Sequence, residues 1–221
     1  MNHSVYYIAL GDSITFGTGA LMRQGYAILI ANQLRKTYPY VYFTNISRKG
    51  LTSQGLTSII QNPRLQAFLQ QAQLITLLIG GNDLNHAYLK YLITGNKLEI
   101  NKALSIYSLQ FNNLLQWLGT YTSAKIYSFT LYNPFPNEPL SNQIISTLNL
   151  IIIKHSKRWN VTVVDLNKPF MNQQAKYIAG YRTGRFNDFI PFIQQNPIHP
   201  NTLGHHKIAQ LFWDHYSSDL K

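Results

Sequence analysis

Three short stretches of the 221-residue chain carry residue types that together perform acyl chemistry. In Gly11-Asp12-Ser13-Ile14-Thr15-Phe16-Gly17 a serine sits in a glycine-flanked turn directly after an apolar run. Glycines permit a sharp turn and leave room for a substrate. N–H groups at a following helix start would face a developing negative charge. In Gly80-Gly81-Asn82-Asp83 the Asn82 amide is placed to donate to an oxyanion. In Asn196-Pro197-Ile198-His199-Pro200-Asn201-Thr202-Leu203-Gly204-His205 a histidine stands on a loop stiffened by Pro200. Histidine is a base near neutral pH, and Asn201 or Thr202 is suited to cap a helix that follows. Nucleophile, oxyanion donor and general base are the parts of an ester hydrolase. Taken singly, each stretch also reads as ordinary structure: a turn with a capping serine, an Asx turn, a surface loop histidine.

The elements that must position these residues alternate. Val5–Leu10 reads as a strand ending at Gly11, Gln24–Tyr38 as a helix and Tyr40–Asn45 as a second strand. Leu74–Ile79 is a continuous apolar run closed by two glycines, the pattern of a strand buried on both faces. Asn101–Leu118 has apolar residues at 104, 107, 111, 114, 115 and 118, which is helical spacing. Lys125–Leu131 is a fourth strand, Leu140–Trp159 a helix with Ser141 as a cap candidate, Val161–Leu166 a fifth strand and Leu203–Tyr216 a last helix. This alternation implies a parallel sheet with helices on both faces. Ligands then bind beyond the carboxyl ends of the strands, which is where Ser13, Gly50 and Asn82 fall.

Composition narrows the function classes. The length suits one domain spanning residues 1–221. There is no cysteine, which excludes a thiol nucleophile, disulfides and thiolate metal sites. The formal charge is +11, but it arises largely from scarce acids, six Asp and two Glu. Basic residues come as scattered pairs such as Arg35–Lys36, Arg48–Lys49 and Lys157–Arg158, without a basic arm or an aromatic RNA-reading motif. A nucleic-acid partner is therefore not expected; a weak attraction to an anionic lipid or polymer surface is left open. No apolar run spans a membrane and none reads as a signal peptide, so the expectation is a cytoplasmic protein if Met1 is the native start and a secreted one if a leader was trimmed. A monomer is the default. The adjacent His205 and His206 lack a carboxylate cluster, so capping or solvent exposure is expected of them rather than metal binding.

In order and spacing the three stretches resemble the GDSL, or SGNH, hydrolase family. The serine heptad is similar to its nucleophile block, Asn45–Ser53 (NISRKGLTS) to its second block, GGND to its third and HPNTLGH to its last. In the second block the family's earlier glycine falls on Ser47, and Gly55 rivals Gly50 as the later one. The resemblance runs from about residue 5 to residue 210. It implies a flavodoxin-like three-layer α/β/α sandwich around a parallel sheet of about five strands. It also implies a carboxylic-ester hydrolase, with Ser13 as nucleophile and His199 as general base. The oxyanion hole would comprise the Ser13 and Gly50 N–H groups and the Asn82 side chain, with no cofactor and no metal. The substrate would be a small-molecule or lipid ester. GxSxG is absent, which argues against the separate α/β-hydrolase elbow. GxGxxG is absent from the first turn, which argues against a dinucleotide enzyme.

One position departs from the family. An aspartate usually stands three residues before the histidine, and here that residue is Asn196. Three groups are ranked to orient the imidazole: Asn196 first, by side chain or backbone carbonyl, then Asp188, then Asp165. Without an adjacent carboxylate, His199 should be less basic than in an Asp-bearing relative. The same departure keeps a second function open, a noncatalytic lipid- or carbohydrate-binding protein on this fold. Phe186, Phe189, Ile190, Phe192 and Ile193 form an apolar cluster ahead of His199, mostly core by expectation, with a few facing an acyl pocket. Asn133–Pro139 reads as the rim of the site or as a rigid connection.

Overall fold

A computed structural model describes residues 4–190 and 196–219. Along the chain lie β1 (Ser4–Gly11), α1 (Ser13–Phe16), α2 (Tyr26–Thr37), β2 (Tyr40–Ser47), α3 (Ser53–Ile60), α4 (Pro63–Gln71) and β3 (Leu74–Leu78). Then follow α5 (Gly81–Thr94), α6 (Leu98–Tyr121), β4 (Lys125–Phe129), α7 (Pro139–Arg158) and β5 (Thr162–Val164). The short α8 (Asn167–Phe170) and α9 (Gln174–Tyr177), a 3-10 turn at Phe186–Asp188 and α10 (Thr202–Asp219) complete it.

The five strands form one sheet in the order β2-β1-β3-β4-β5, with every pairing parallel. β3 is buried along its whole length, as the continuous apolar run implies. α2 packs on α10, while α3, α4, α5 and α7 gather around α6. These two groups are the outer layers of an α/β/α sandwich. Each presents an apolar stripe inward: Ile30, Ala31 and Leu34 on α2, and Leu104, Tyr107, Phe111 and Leu115 on α6.

Where the elements differ from expectation, local hydrogen bonds supply the reason. β4 ends at Phe129: Thr130 N–H still donates to the Val164 carbonyl of β5, but Leu131 leaves the sheet, its N–H donating to Asn149 Oδ1 and its carbonyl accepting from the Asn149 amide, each at 2.8 Å. β5 is cut short because the Asp165 carboxylate accepts the Asn167 and Lys168 N–H groups and turns the chain into α8. β2 runs on to Ser47, which pairs with Gly11. Ser141 does not cap α7, which begins at Pro139; its hydroxyl donates to Asn133 Oδ1. Asn201 does cap α10, accepting from Gly204 N–H at 2.9 Å. Helices α3, α4 and α5 occupy stretches to which the sequence reading assigned no element.

Gly11 is where β1 meets the turn that carries Ser13. A β-carbon there would collide with the Leu78 carbonyl of β3 and with Thr15 Oγ1. Gly11→Ala should therefore lower unfolding free energy by about 1–3 kcal/mol, the usual cost of overpacking. Urea denaturation measures it, and an unchanged midpoint would contradict this account of the turn.

Candidate active site

Ser13 is the first residue of α1, immediately beyond β1. Asp12 caps this helix, its Oδ1 accepting from Ile14 N–H at 3.0 Å. Gly17 ends it in the left-handed conformation, with φ of 98°. The turn is pinned from two sides: Asn45 Nδ2 donates to the Thr15 carbonyl, and Thr15 Oγ1 shares a hydrogen bond with Tyr26 OH. As the first helical residue, Ser13 has an N–H without an intrahelical acceptor.

His199 comes to Ser13 from the far end of the chain. Its Nε2 lies 2.9 Å from Ser13 Oγ. The backbone around it is held tightly. Ile178 and Pro200 form an antiparallel bridge, Ala179 N–H donates to the His199 carbonyl at 3.0 Å, and Tyr132 OH donates to the Ile198 carbonyl at 2.6 Å. Gly19 lies against the same loop, where a β-carbon would meet the Pro200 carbonyl and approach His199 Cβ to 3.3 Å. Burial, helped by the positive charge of Lys49, pushes the imidazole down to about 4. Asp12 moves the other way, pushed up to about 7 by burial, opposed by its bond from Ile14 and reinforced by the charge of Asp83.

The remaining oxyanion candidates border the same spot on the chain. Asn82 is the second residue of α5, and its Nδ2 donates to the Leu51 carbonyl at 3.0 Å, leaving its second amide hydrogen for another acceptor. Asp83 accepts from Ser53 N–H and from Ser53 Oγ, which ties the β2–α3 loop to the start of α5. Gly50 lies in that loop with φ of 76° and is exposed. Gly55 lies inside α3, its N–H bonded to the capping Thr52, so it is not available as the second-block donor.

The expected partners of the His199 Nδ1 are engaged elsewhere. Asn196 makes a two-way clasp on the Ile190 backbone, Oδ1 accepting and Nδ2 donating, each at 2.7 Å. Its carbonyl accepts from Ile198 N–H. Asp188 accepts from Thr183 N–H, Thr183 Oγ1 and Gly184 N–H. Asp165 accepts from Thr130 Oγ1 besides capping α8. Among the described residues none of the three bonds to His199.

His205 corrects an expectation of capping or exposure: it is fully buried. Its Nδ1 accepts from Tyr26 N–H at 3.2 Å and its Nε2 lies 3.1 Å from the Thr18 carbonyl, an arrangement that suits the neutral ring protonated on Nε2. It braces the loop after Ser13. Among the described residues no three His, Cys, Asp or Glu side chains converge as a metal site would require.

A cavity of about 110 Å³ opens at Ser13, Asn82 and His199. Its wall is mainly apolar and includes Leu84, Tyr88, Ile100, Phe135, Ile144 and Ile145. Phe186 and Phe189 close one side: Phe186 lies tilted against Tyr88 and edge-on to Phe135, and Phe189 lies edge-on to Tyr88. Phe192 and Ile193 lie outside the described residues. Sequence reasoning anticipated Phe186 and Phe189 in the apolar cluster before His199, and the loop after β4 as a rim. It missed the α5 wall, although Leu84, Ala87 and Tyr88 have helical spacing, and it missed Tyr132 as the anchor of the histidine loop.

The sequence pattern of the GDSL-like lipase/acylhydrolase family matches residues 9–207. The chain is 24% identical over 186 residues to the spore germination lipase LipC of Bacillus licheniformis, covering 80% of this chain and 86% of that protein. In structure it is similar to a lipase from a goat rumen metagenome, with TM-score 0.80, 20% identity and coverage of 94% of this chain and 95% of the other. It is also similar to an acetylxylan esterase of Geobacillus stearothermophilus, with TM-score 0.69, 16% identity and coverage of 97% and 95%.

Two outcomes follow from the histidine's surroundings. An imidazole held near 4 stays neutral, and so able to accept a proton, well below the ordinary histidine range around 6.5. The acid limb of kcat/KM on a soluble ester should therefore lie nearer pH 4; an acid limb above pH ~6.5, unchanged in Asn196→Ala, would contradict it. Asn196→Asp should not restore a triad. It replaces the donor to the Ile190 carbonyl with a second acceptor, so it should cost about 1–3 kcal/mol in urea unfolding and give no rate gain. A tenfold gain with a raised acid limb would show instead that the new carboxylate reaches Nδ1.

Proposed function

The chain belongs to the GDSL-like lipase/acylhydrolase family and is an ester hydrolase, and from that membership we propose that Ser13 is its acylated nucleophile and His199 its general base. The observation that carries this reading is the 2.9 Å contact between Ser13 Oγ and His199 Nε2 at the mouth of an apolar cavity.

The reaction follows from these groups. With its proton on Nδ1, His199 accepts the Ser13 hydroxyl proton at Nε2 as Oγ bonds to the ester carbonyl carbon. The carbonyl oxygen takes up the negative charge and is met by the Ser13 N–H, the Gly50 N–H and the second amide hydrogen of Asn82. The imidazolium passes its proton to the alkoxy oxygen as the carbon–oxygen bond breaks, and the alcohol leaves. Water then attacks the acyl-serine, giving its proton to His199. Collapse of that intermediate returns the proton to Ser13 and frees the carboxylic acid. The acyl chain occupies the cavity between α5 and α7.

The imidazolium formed on the way has no carboxylate bonded to it among the described residues, and Lys49 disfavours it further. In serine proteases the triad aspartate contributes about 10⁴ in kcat. Turnover here rests more heavily on the oxyanion donors and on positioning.

The test is a p-nitrophenyl ester series, acetate through palmitate, with wild type, Ser13→Ala and His199→Ala. Either substitution should lower kcat/KM by at least ~1,000-fold while the proteins remain folded. Ala87→Leu, which fills cavity space on α5, should depress hydrolysis of long esters by about tenfold or more relative to acetate. Turnover that survives Ser13→Ala would overturn the assignment. Absence of turnover on every ester, with no labelling of Ser13 by a fluorophosphonate, would favour the noncatalytic binding protein.

A further inference from the structure

The loop after Ser13 displays apolar side chains that the fold does not bury. Met22 is 88% exposed and Leu21 67%, more than any other large apolar residue described. Phe16, 55% exposed, ends α1 just before this loop, and Leu203, 56% exposed, opens α10 where the loop bonds to it. Leu21 N–H donates to Thr202 Oγ1 beside Leu203, and Gly19 abuts His199 and Pro200. Scattered exposed apolar residues are ordinary in proteins, but a cluster at a site entrance marks an interaction surface.

This loop is held outward rather than left slack. His205 bonds the Thr18 carbonyl and Tyr26 N–H, His206 Nε2 lies 3.3 Å from Gln24 Oε1, and Gly17, Gly19 and Arg23 adopt positive φ. Cations accompany it. Arg23 follows Met22 directly, and Lys49 Nζ sits 5.5 Å from the centre of the Phe16 ring, with Arg48 beside it in the chain. No Asp or Glu occurs between residues 13 and 82, a stretch that holds Arg23, Arg35, Lys36, Arg48, Lys49 and Arg64. The ion pairs among the described residues, Lys102–Glu99 and Lys125–Asp219, involve none of these.

We propose that this edge docks onto an anionic lipid surface, with Leu21 and Met22 entering the acyl boundary and Arg23, Arg48 and Lys49 resting on the head groups. The proposal deepens the ester-hydrolase reading and rests on it for its purpose: a lipid ester would pass from the surface to Ser13 and into the cavity without crossing water. Hydrocarbon and negative charge are both required of the partner. A nucleic acid supplies the charge but offers nothing to Leu21 and Met22, whereas anionic lipid supplies both.

Binding is measured apart from turnover by sedimenting Ser13→Ala protein with two kinds of vesicle, phosphatidylcholine alone and phosphatidylcholine mixed with phosphatidylglycerol. The expected result is binding to the mixed vesicles, weakened by salt, and little to the neutral ones. Adding Leu21→Ser and Met22→Ser should reduce the partition coefficient at least about tenfold. Adding Arg23→Gln and Arg48→Gln should reduce it about 25-fold, about fivefold per cation. With Ser13 intact, the Leu21→Ser/Met22→Ser protein should keep wild-type kcat/KM on p-nitrophenyl acetate, which shows that it folds. Equal partition of the parent and the serine variant would overturn the proposal. So would DNA binding stronger than vesicle binding and indifferent to the serine substitutions. A dimer that the same substitutions convert to monomer, with no vesicle binding, would assign the face to contact between copies and overturn it too. Vesicle binding by a protein that hydrolyses no ester would instead sink the catalytic reading and leave the docking surface standing.

Discussion

The parallel register of β1 sets the position of the groups proposed to react. Gly11 stands opposite Ser47 on one side and Leu78 on the other, so three strands end at one level. The loops that leave there carry Ser13, Gly50 and Asn82 respectively. Nothing larger than hydrogen fits at Gly11, because the backbone of β3 and the side chain of Thr15 already fill that space. From this close approach the rest follows: the chain turns sharply into α1, and the N–H groups of α1 and α5 open toward the same sheet edge. Asp83 then draws the β2–α3 loop in by its bonds to Ser53. A parallel sheet puts its chemistry at one end because all its strands end there.

The histidine arrives with a different kind of support. A triad aspartate would hold the ring by its Nδ1 and lend it charge. Here the constraint is on the main chain: a bridge from Ile178, a hydrogen bond from Ala179 and the hydroxyl of Tyr132 on Ile198. Asn196 keeps the place of the missing acid in the sequence but spends its amide on Ile190, stabilising the approach to the loop instead of the ring. Position is conserved by such a design while proton affinity is not, since burial and Lys49 both act against the charged imidazole.

How much of this was legible in the sequence depended on whether a feature is local. Ser13, Asn82 and His199 each read alone as ordinary structure and became candidates by their order along an alternating chain and by resemblance to the family's blocks. The strands were legible because burial on both faces writes continuous apolar runs, and their ends were misjudged where side chains such as Asn149 and Asp165 intercept the backbone. Gly50 and Gly55 stood as rivals until a helix was seen to begin at Ser53. The apolar cavity was not legible as a whole, since its wall is assembled from α5, α6, α7 and two loops. His205 was misread for the same reason: a His-His pair looks polar, and its burial makes sense only once Tyr26 and Thr18 satisfy both ring nitrogens. The partner of the His199 ring could be ranked only by nearness in the chain, or for Asp165 by its place at the sheet edge, and neither reports hydrogen bonds.

Helix α7 serves two masters. Ile144 and Ile145 form part of the cavity wall, and one turn further on Asn149 clasps Leu131, the neighbour of the Tyr132 that anchors the histidine loop. An engineer wishing to alter chain-length preference therefore has two walls of unequal freedom. Bulk added on α7 pushes on the helix that indirectly holds the base, so selectivity and rate would be traded against each other. Bulk added along α5, beyond the turn that presents Asn82, reshapes the same space without pressing on the Asn149–Leu131 clasp. Evolutionary drift in substrate range would find the second wall the more permissive for the same reason.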